Sequence, residues 1–529
     1  MRPLRGARAG AAAVALLWAT AAAAQPAADG AGWDGPMSAG DRAYQQGRYG
    51  EAERQLTVAL ERAERAGGPQ DPRVALSLGL LAGTYQAAGS YARAEPLLTR
   101  ALGIAEGTLG PDHPEVAATL TALGSLGTAQ GRYAQAEPLL RRALTIDERV
   151  LGPDHPEVAE TLQSLAMLES REGRYADAEQ HARRALAIRE KALGPQHPEV
   201  ATSLAGLAEI YLPQGRYVET EQLAQRALTI REKALGTEHP TVIRPLVTLA
   251  SLQAEQGNWP RAEPLARRAL AVAEKALGSE HPETAAALEP LVELARERGR
   301  YGEAETLGRR ALAIREKALG PAHPDVAVVV AGQAELAVLR RQAAQAEPLA
   351  RRALAIQEKA LGPEHPDLGQ SLRALAGAQA LQSRYAEAEP LLRRALAMDE
   401  KRLGPESPRV AVDLVELGAL QRRQGQFAQA EPLVKRAQAI GEKRLGPEHP
   451  QVAAAIVELA SLYRDQGRFA QAEPLYQWAL TLQRKSLGPD HPDVAESLEE
   501  YAALLKQTNR ETEAAPLEAQ ARAIRAKTP

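Results

Sequence analysis

Apolar residues recur along the chain with the spacing of amphipathic α-helices. In one segment, Leu162, Leu165 and Ala166 fall at i, i+3 and i+4. A second apolar face follows at Ala178, Ala182, Ala185 and Leu186. Both faces have the helical period of about 3.6 residues. The turn Gly173-Arg174-Tyr175 separates them, so the pattern predicts two helices that pack through their apolar faces.

The helical pair repeats every 42 residues without an insertion or a deletion. His-Pro dipeptides mark the register, and they begin at His113, His155, His197, His239, His281, His323, His365, His449 and His491. The two remaining slots hold Asp71-Pro72 and Ser407-Pro408, and every second helix carries alanine at one fixed slot, from Ala59 to Ala521. Twelve units therefore predict an all-α tandem array over residues 37–526, with a tail at 527–529.

The His-Pro dipeptides are interpreted as helix starts. Proline suits the first helical position, and the acidic residue after it suits the positive end of the helix dipole. His155 then lies at the N-cap, and the two replacements, Asp71 and Ser407, are preferred N-cap residues. Successive histidines lie too far apart to share one metal ion, so we expect neither a metal site nor a cofactor.

Composition excludes several kinds of chemistry. The chain of 529 residues has no cysteine, which rules out disulfides, thiolate metal sites and a cysteine nucleophile. Its net charge is −3, and Arg-Arg pairs such as Arg183-Arg184 share their helices with glutamate, so neither nucleic acid nor a membrane surface is an expected partner. No nucleophile elbow, phosphate-binding loop or dinucleotide fingerprint occurs, so we do not expect an enzyme.

The N-terminus differs from the repeats. Residues 1–24 combine arginines, a short apolar run and the small residues Ala22-Ala23-Ala24, which is typical of a secretory signal peptide. Cleavage between Ala24 and Gln25 would export the protein to the periplasm or the extracellular space. Residues 25–36 are predicted to form a flexible lead-in, and no apolar stretch is long enough to span a membrane.

One unit carries the spacing of a known family: Leu204, Leu207, Ala208, Tyr211, Gly215, Tyr217 and Ala227. This spacing resembles the tetratricopeptide repeat, and the 42-residue period resembles the kinesin light chain subclass, as in many bacterial repeat proteins. The resemblance implies a right-handed α-solenoid whose first helices line a concave surface that binds proteins or peptides. Kinesin light chains hold cargo peptides with an asparagine pair, which is replaced here by Gln163-Ser164 and other residues, so that clamp is not expected.

These observations favour a non-catalytic scaffold for a protein or peptide partner. The alternative is an accessory subunit of a secretion or envelope-assembly complex, and an enzyme with an unrecognised site is the third hypothesis. Repeats eight to ten combine apolar and arginine residues on the expected concave stripe. The predicted contact residues for an apolar, partly acidic segment are Val328, Ala331, Val338, Leu339, Arg373, Leu381, Val412, Val415, Arg422 and Arg423. Tight curvature that buries these residues against each other is the open alternative.

Overall fold

The computed structural model describes residues 32–365 and 367–527, which form twelve pairs of antiparallel α-helices joined by short turns. The first helices of the twelve repeats are α1 (Asp34–Gln45), α3 (Pro72–Ala87), α5 (Pro114–Ala129), α7 (Pro156–Arg171), α9 (Pro198–Tyr211), α11 (Ile243–Glu255), α13 (Pro282–Glu297), α15 (Pro324–Leu339), α17 (Leu368–Ala380), α19 (Pro408–Arg423), α21 (Pro450–Asp465) and α23 (Pro492–Gln507). The second helices are α2 (Tyr49–Gly67), α4 (Tyr91–Leu109), α6 (Tyr133–Val150), α8 (Tyr175–Leu193), α10 (Tyr217–Leu235), α12 (Trp259–Leu277), α14 (Tyr301–Leu319), α16 (Ala343–Leu361), α18 (Tyr385–Leu403), α20 (Phe427–Arg444), α22 (Phe469–Ser486) and α24 (Glu511–Lys527).

The array begins earlier than the sequence predicted. Helix α1 starts at Asp34, and Trp33 is buried with its indole Nε1 donating to Ser77 Oγ at 3.0 Å. The assignment of residues 25–36 to a flexible lead-in is therefore wrong from Trp33 onward, because the indole packs into the core of the second repeat. The predicted signal peptide at 1–24, the lead-in as far as residue 31 and the tail residues 528–529 lie outside the described residues.

Close packing within each repeat depends on the alanine slot of the second helix. This alanine is at most 2% exposed in all twelve repeats, from Ala59 to Ala521. A larger side chain there would overpack the helix pair, at a typical cost of about 1–3 kcal/mol. Successive first helices also pack against one another, whereas the second helices mainly contact the first helices on either side. The first helices therefore line the inner, concave surface of the solenoid.

The solenoid is wound so tightly that its consecutive turns are in contact. Nε2 of His281, at the start of the seventh repeat, donates to the carbonyl oxygen of Ala87 at 2.9 Å, five repeats earlier. The same geometry recurs at six histidines, each bonded to a carbonyl 194 residues before it: His239 to Gln45, His281 to Ala87, His323 to Ala129, His365 to Arg171, His449 to Glu255 and His491 to Glu297. The N-terminus of a first helix thus lies against the C-terminus of a first helix in the previous turn. The positive end of one helix dipole therefore faces the negative end of the other.

Each of these imidazoles forms a second hydrogen bond within its own repeat. Nδ1 of His281 accepts from the backbone N–H of Glu283 at 3.0 Å, which is an N-cap bond. A neutral imidazole that accepts at Nδ1 carries its proton on Nε2, so the cap prepares the donor that reaches the previous turn. The predicted N-cap role is confirmed at His155, Asp71 and Ser407, whose side chains accept from the residue two positions later.

Glycine in the turn between the two helices of a repeat is required where the next turn of the solenoid covers it. Gly89 has a φ of +70°, and a Cβ atom there would lie 2.5 Å from Pro282 Cδ. The same slot in the last turn holds Arg341, Ser383 and Asn509, all with positive φ. Arg341 reaches forward to Glu496 at 3.2 Å, but no proline of a later repeat covers these three positions in the described residues, so they carry the backbone strain without that steric conflict.

The convex surface is covered by a ladder of ion pairs. The second arginine of each Arg-Arg pair on a second helix reaches a glutamate 36 residues earlier on the preceding second helix, as in Arg268 to Glu232 at 2.5 Å and Arg352 to Glu316 at 2.5 Å. These side chains are about one-third exposed, so each pair contributes only about 0–1 kcal/mol. The ladder fits the interpretation of a solvated face of mixed charge.

The bridging role of the histidines can be separated from their capping role. Substitution His113→Ala removes an N-cap acceptor in the first turn, whereas His281→Ala removes the same cap and the bond to Ala87. We expect His281→Ala to lower the free energy of unfolding by about 1 kcal/mol more than His113→Ala. Amide exchange of residues 87–91 in both variants measures this difference. Equal protection of that segment in the two variants would show that the bridge contributes nothing.

The bridges should also weaken in acid. Burial lowers the pKa of His239, His281, His323 and His449 below the ordinary imidazole value. Protonation of Nδ1 removes the cap, so their stabilising contribution is complete above about pH 6.5 and is lost as the pH falls through the lower folded-state pKa. We expect the difference in urea midpoint between the native chain and a variant with alanine at these four positions to shrink below about pH 6.5. A difference that does not change with pH contradicts this assignment.

Candidate partner-binding site

A cavity of about 360 Å³ opens on the concave surface between the first helices of repeats three to six. Ser125 of α5, Ser164 of α7, Gly206 of α9 and Arg244 of α11 contribute to its wall. Asp325 of α15, in the following turn, also lines it. The cavity therefore exists because the turns of the solenoid stack, and the next turn forms its roof.

An ion pair joins the roof to the wall. Arg171 Nη1, at the end of α7, lies 3.1 Å from Asp325 Oδ1 in the first turn of α15. Burial alone would raise the pKa of Asp325, but Arg171 and Arg315 outweigh it and hold that pKa well below its usual range. Asp325 is therefore ionised at neutral pH, and it neutralises Arg171.

Arg244, a second cation of the cavity, is also matched by a carboxylate. Its Nε and Nη2 donate to the two oxygens of Glu283 at 2.9 and 2.8 Å. Burial would raise the pKa of Glu283, but the guanidinium of Arg244 holds it below its ordinary value. This is a bidentate ion pair, in which two N–H groups of the planar guanidinium donate to the two carboxylate oxygens.

Arg231 of α10 is the exception among the cavity cations. It is 8% exposed, and Nη1 donates to the carbonyl oxygen of Thr241 at 2.6 Å while Nη2 donates to Thr202 Oγ1 at 3.3 Å. In the described part of the chain, no carboxylate lies within 4 Å of this guanidinium. Burial lowers the pKa of Arg231 to about 10, which leaves it charged at neutral pH.

The repeat period shows what is missing around Arg231. Arg189 occupies the same slot one repeat earlier, and it pairs with Glu160 and with Glu199, the latter at 3.5 Å. The positions 42 residues after these two carboxylates are Thr202 and Thr241. Repeat five therefore keeps the buried arginine and has a threonine in place of each of its acidic partners.

Gln163 adds a second unsatisfied group to the cavity. It is 9% exposed, its Oε1 has no hydrogen-bond partner in the described structure, and its Nε2 lies 2.3 Å from where a Cβ on Gly206 would be. Ser125 and Ser164 bond to each other at 2.8 Å beside it. The slots of the kinesin light chain asparagine pair thus do line this cavity, although they hold Gln163-Ser164 and Ala205-Gly206.

The residues predicted from the sequence lie elsewhere, on α15, α17 and α19. Leu339 and Arg423 are exposed, and five others are half-buried: Val328, Val338, Leu381, Val412 and Val415. Ala331 is fully buried in a cluster with Val330 and Ala353, so its prediction as a contact residue is wrong.

The predicted arginine rim is engaged in ion pairs with neighbouring repeats. Arg373 lies 2.9 Å from Asp413, and Arg422 lies 2.6 Å from Asp465 and also contacts Glu458. Val338 packs against α17, because a Cβ on Gly377 would lie 2.9 Å from it. Tight curvature therefore pairs much of this stripe with its own neighbours, and its role as a partner surface stays a prediction.

Neither a membrane-spanning helix nor a metal-binding cluster is found within residues 32–365 and 367–527. No helix there has the length and the apolar character needed to cross a membrane. No group of three or more histidine, aspartate and glutamate side chains in that part of the chain is arranged to hold a metal ion.

Comparison with known proteins was made on sequence and on structure. The tetratricopeptide repeat family matches the chain in nine overlapping segments: residues 39–107, 74–148, 126–191, 165–233, 199–275, 241–317, 326–401, 409–485 and 451–527. No curated protein matches the chain.

Solved structures similar to the chain are also helical repeat proteins. The nearly identical TPR-like repeats of a Podosopora anserina kinesin light chain protein are 32% identical over 39% of this chain and 98% of that one, with a TM-score of 0.31. A Rap protein, solved in complex with the Competence and Sporulation Factor, is 13% identical over 71% of this chain and 99% of that one, with a TM-score of 0.53. The second likeness shows the same fold.

Proposed function

The chain belongs to the tetratricopeptide repeat family, and on this basis we propose that it is a non-catalytic scaffold that holds a protein or peptide partner on its concave surface. The predicted family and the predicted α-solenoid are confirmed by the nine matched segments and by the paired helices of every repeat. The likeness to kinesin light chain repeats agrees with the predicted 42-residue subclass.

The cavity above α7 and α9 is the observation that carries this proposal. It presents a buried arginine with no carboxylate within 4 Å in the described structure and a buried glutamine whose Oε1 has no hydrogen-bond donor. Buried polar groups of this kind are normally satisfied within a protein, so they favour a partner that supplies the missing bonds. On the convex surface, by contrast, the arginines of the ladder are already paired with glutamates.

A location outside the cytoplasm is part of the proposal. Residues 1–24 have the pattern of a signal peptide, and we propose that cleavage between Ala24 and Gln25 releases the protein into the periplasm or the extracellular space. This export signal is also what favours the second candidate function, an accessory subunit of a secretion or envelope-assembly complex. In that role the same concave surface would hold another component of the complex.

Partner binding on the concave surface can be tested with two substitutions in one repeat. Ser164→Trp places an indole in the cavity, whereas Gln180→Trp adds the same side chain to the exposed face of α8. We expect proteins captured by the native chain to be captured equally by Gln180→Trp and to be lost with Ser164→Trp. Affinity capture from the cell envelope, followed by titration of the purified partner, measures this. Equal binding by all three chains contradicts a concave site.

The proposed export makes a separate prediction. Expression of the full chain in a Gram-negative host should yield a mature protein whose first residue is Gln25, in the periplasmic fraction or the medium. N-terminal sequencing of the fractionated protein checks this. A protein that keeps Met1 and stays in the cytoplasmic fraction would contradict export, and it would remove the argument for the secretion-complex alternative.

A further inference from the structure

We propose that the first turn of the solenoid stacks on the last turn of a second copy of this chain, head to tail, through the contacts that join consecutive turns within one chain. The inference concerns the two ends of the solenoid, so it does not depend on the concave site. A second copy is the expected occupant because each end presents one half of an interface whose two halves already meet inside the chain.

The interface inside the chain has two components. Nε2 of a bridging histidine donates to the last carbonyl of a first helix five repeats earlier, as His281 does to Ala87 at 2.9 Å. The proline after the histidine covers the glycine in the turn that follows that helix, as Pro282 covers Gly89. Because each contact spans five repeats, repeats one to five keep an unused histidine side, and repeats eight to twelve keep an unused carbonyl side.

The upper edge, formed by the starts of the first helices of repeats three to five, carries unused donors. His113, His155 and His197 accept the N-cap bond at Nδ1, so each carries its proton on Nε2. In the described residues, no acceptor lies within hydrogen-bonding distance of these three Nε2 atoms. The three imidazoles are half-buried, whereas five of the six bridging imidazoles are buried.

The lower edge, formed by the ends of the first helices of repeats ten and eleven, has the matching acceptors. These helices end at Arg423 and Asp465, and no donor in the described structure reaches their carbonyl oxygens. The turns that follow contain Gly425 and Gly467, both exposed, with φ of +74° and +73°. A Cβ atom on either glycine would have no neighbour within 4 Å there. The glycines are thus present although no proline of the same chain covers them.

The register of the repeats brings the two edges together. In a second copy that continues the coil, repeats three and four lie five repeats after repeats ten and eleven. His113 of that copy then faces the carbonyl oxygen of Arg423, and the proline after it covers Gly425. The next repeat gives the same match at Asp465 and Gly467.

The turns without glycine largely agree with this register. Repeats one and two of the second copy have no His-Pro dipeptide, and the turns that they would meet hold Arg341 and Ser383. Asn509, which would lie under His197, is the one mismatch. The contact is therefore expected to depend mainly on repeats ten and eleven.

The outer face of the last helix limits the strength of this association. Arg522 of α24 is exposed in the slot that holds the buried Leu480 one repeat earlier. Polar outer faces of this kind keep the ends of repeat proteins soluble, so we expect a weak and reversible association. Because the two edges differ, the copies add head to tail into open chains rather than a closed dimer.

Sedimentation equilibrium of the purified full chain at increasing concentration tests the proposal. The weight-average mass should rise beyond that of two copies, as open assembly requires. A mass that stays at one copy at every concentration overturns the proposal. A mass that levels off at two copies overturns it as well, because it indicates a closed dimer.

Two substitutions block the lower edge. Gly425→Arg together with Gly467→Arg places at these positions the residue that Arg341 already provides at positive φ in the same slot. The new side chains occupy the space that the prolines of a second copy need. We expect this double variant to associate at least about tenfold more weakly than the native chain.

Two further substitutions remove the donors of the upper edge. His113→Asp together with His155→Asp keeps the N-cap bonds, because Asp71 caps its helix in the same slot. The variant loses both Nε2–H donors, and we expect it to associate at least about tenfold more weakly than the native chain. Association of either double variant at the native affinity overturns the proposal.

A mixture of the two double variants tests the head-to-tail arrangement. Each variant keeps the edge that the other has lost, so an equimolar mixture should form a one-to-one dimer and grow no further. Gln180→Arg, on the exposed face of α8, is the control that should associate as the native chain does. Circular dichroism checks that the variants are folded. If the glycine variant does not fold, the histidine variant alone decides, and absence of the dimer from a mixture of folded variants overturns the proposal.

Discussion

The structure depends on a histidine that forms two hydrogen bonds in two directions. Nδ1 caps the first helix of its own repeat, and Nε2–H reaches the last residue of a first helix five repeats earlier. Capping alone would be served equally well by aspartate or serine, and these residues do replace histidine at Asp71 and Ser407. Among the residue types found at this position, the imidazole is the one whose acceptor and donor are separate ring atoms, so it can cap its helix and also donate across the groove between turns. The bifunctional side chain therefore joins consecutive turns of the solenoid, whose stacking forms the cavity.

Contact between the turns of the solenoid explains why certain positions hold proline or glycine, which packing within one helix pair does not explain. The proline after five of the six bridging histidines packs on a glycine of the previous turn, as Pro492 does on Gly299, where a Cβ atom would lie 2.3 Å away. The first seven repeats, which later repeats cover, all keep this glycine. Three of the five uncovered repeats do not, at Arg341, Ser383 and Asn509. One break in the pattern lies between repeats five and ten, where Ser407 replaces the bridging histidine and Pro213 takes the place of the acceptor residue.

The sequence alone was sufficient for everything that is local to one repeat. The period of 42 predicted the helix pairs, the alanine slot and the caps, because each of these is decided by residues within one or two units. The stacking of turns could not be read in the same way, since it joins residues 194 apart and depends on small rotations summed over five repeats. The cavity between repeats three and six was not predicted for a related reason. The prediction rested on exposed apolar residues such as Val338, whereas the cavity is marked by changes of buried residues from one repeat to the next, as from Glu160 to Thr202.

The cavity, and with it the proposed concave binding site, depends on the contact between turns. The chain has no cysteine, so single cysteines can be introduced at the exposed positions Gln46 and Glu238, which face each other across the first groove, and labelled with nitroxides. Electron–electron double resonance should then give a narrow distribution at short distance, because α1 and α11 belong to stacked turns. A broad distribution at long distances, as an open superhelix would give, would contradict the account.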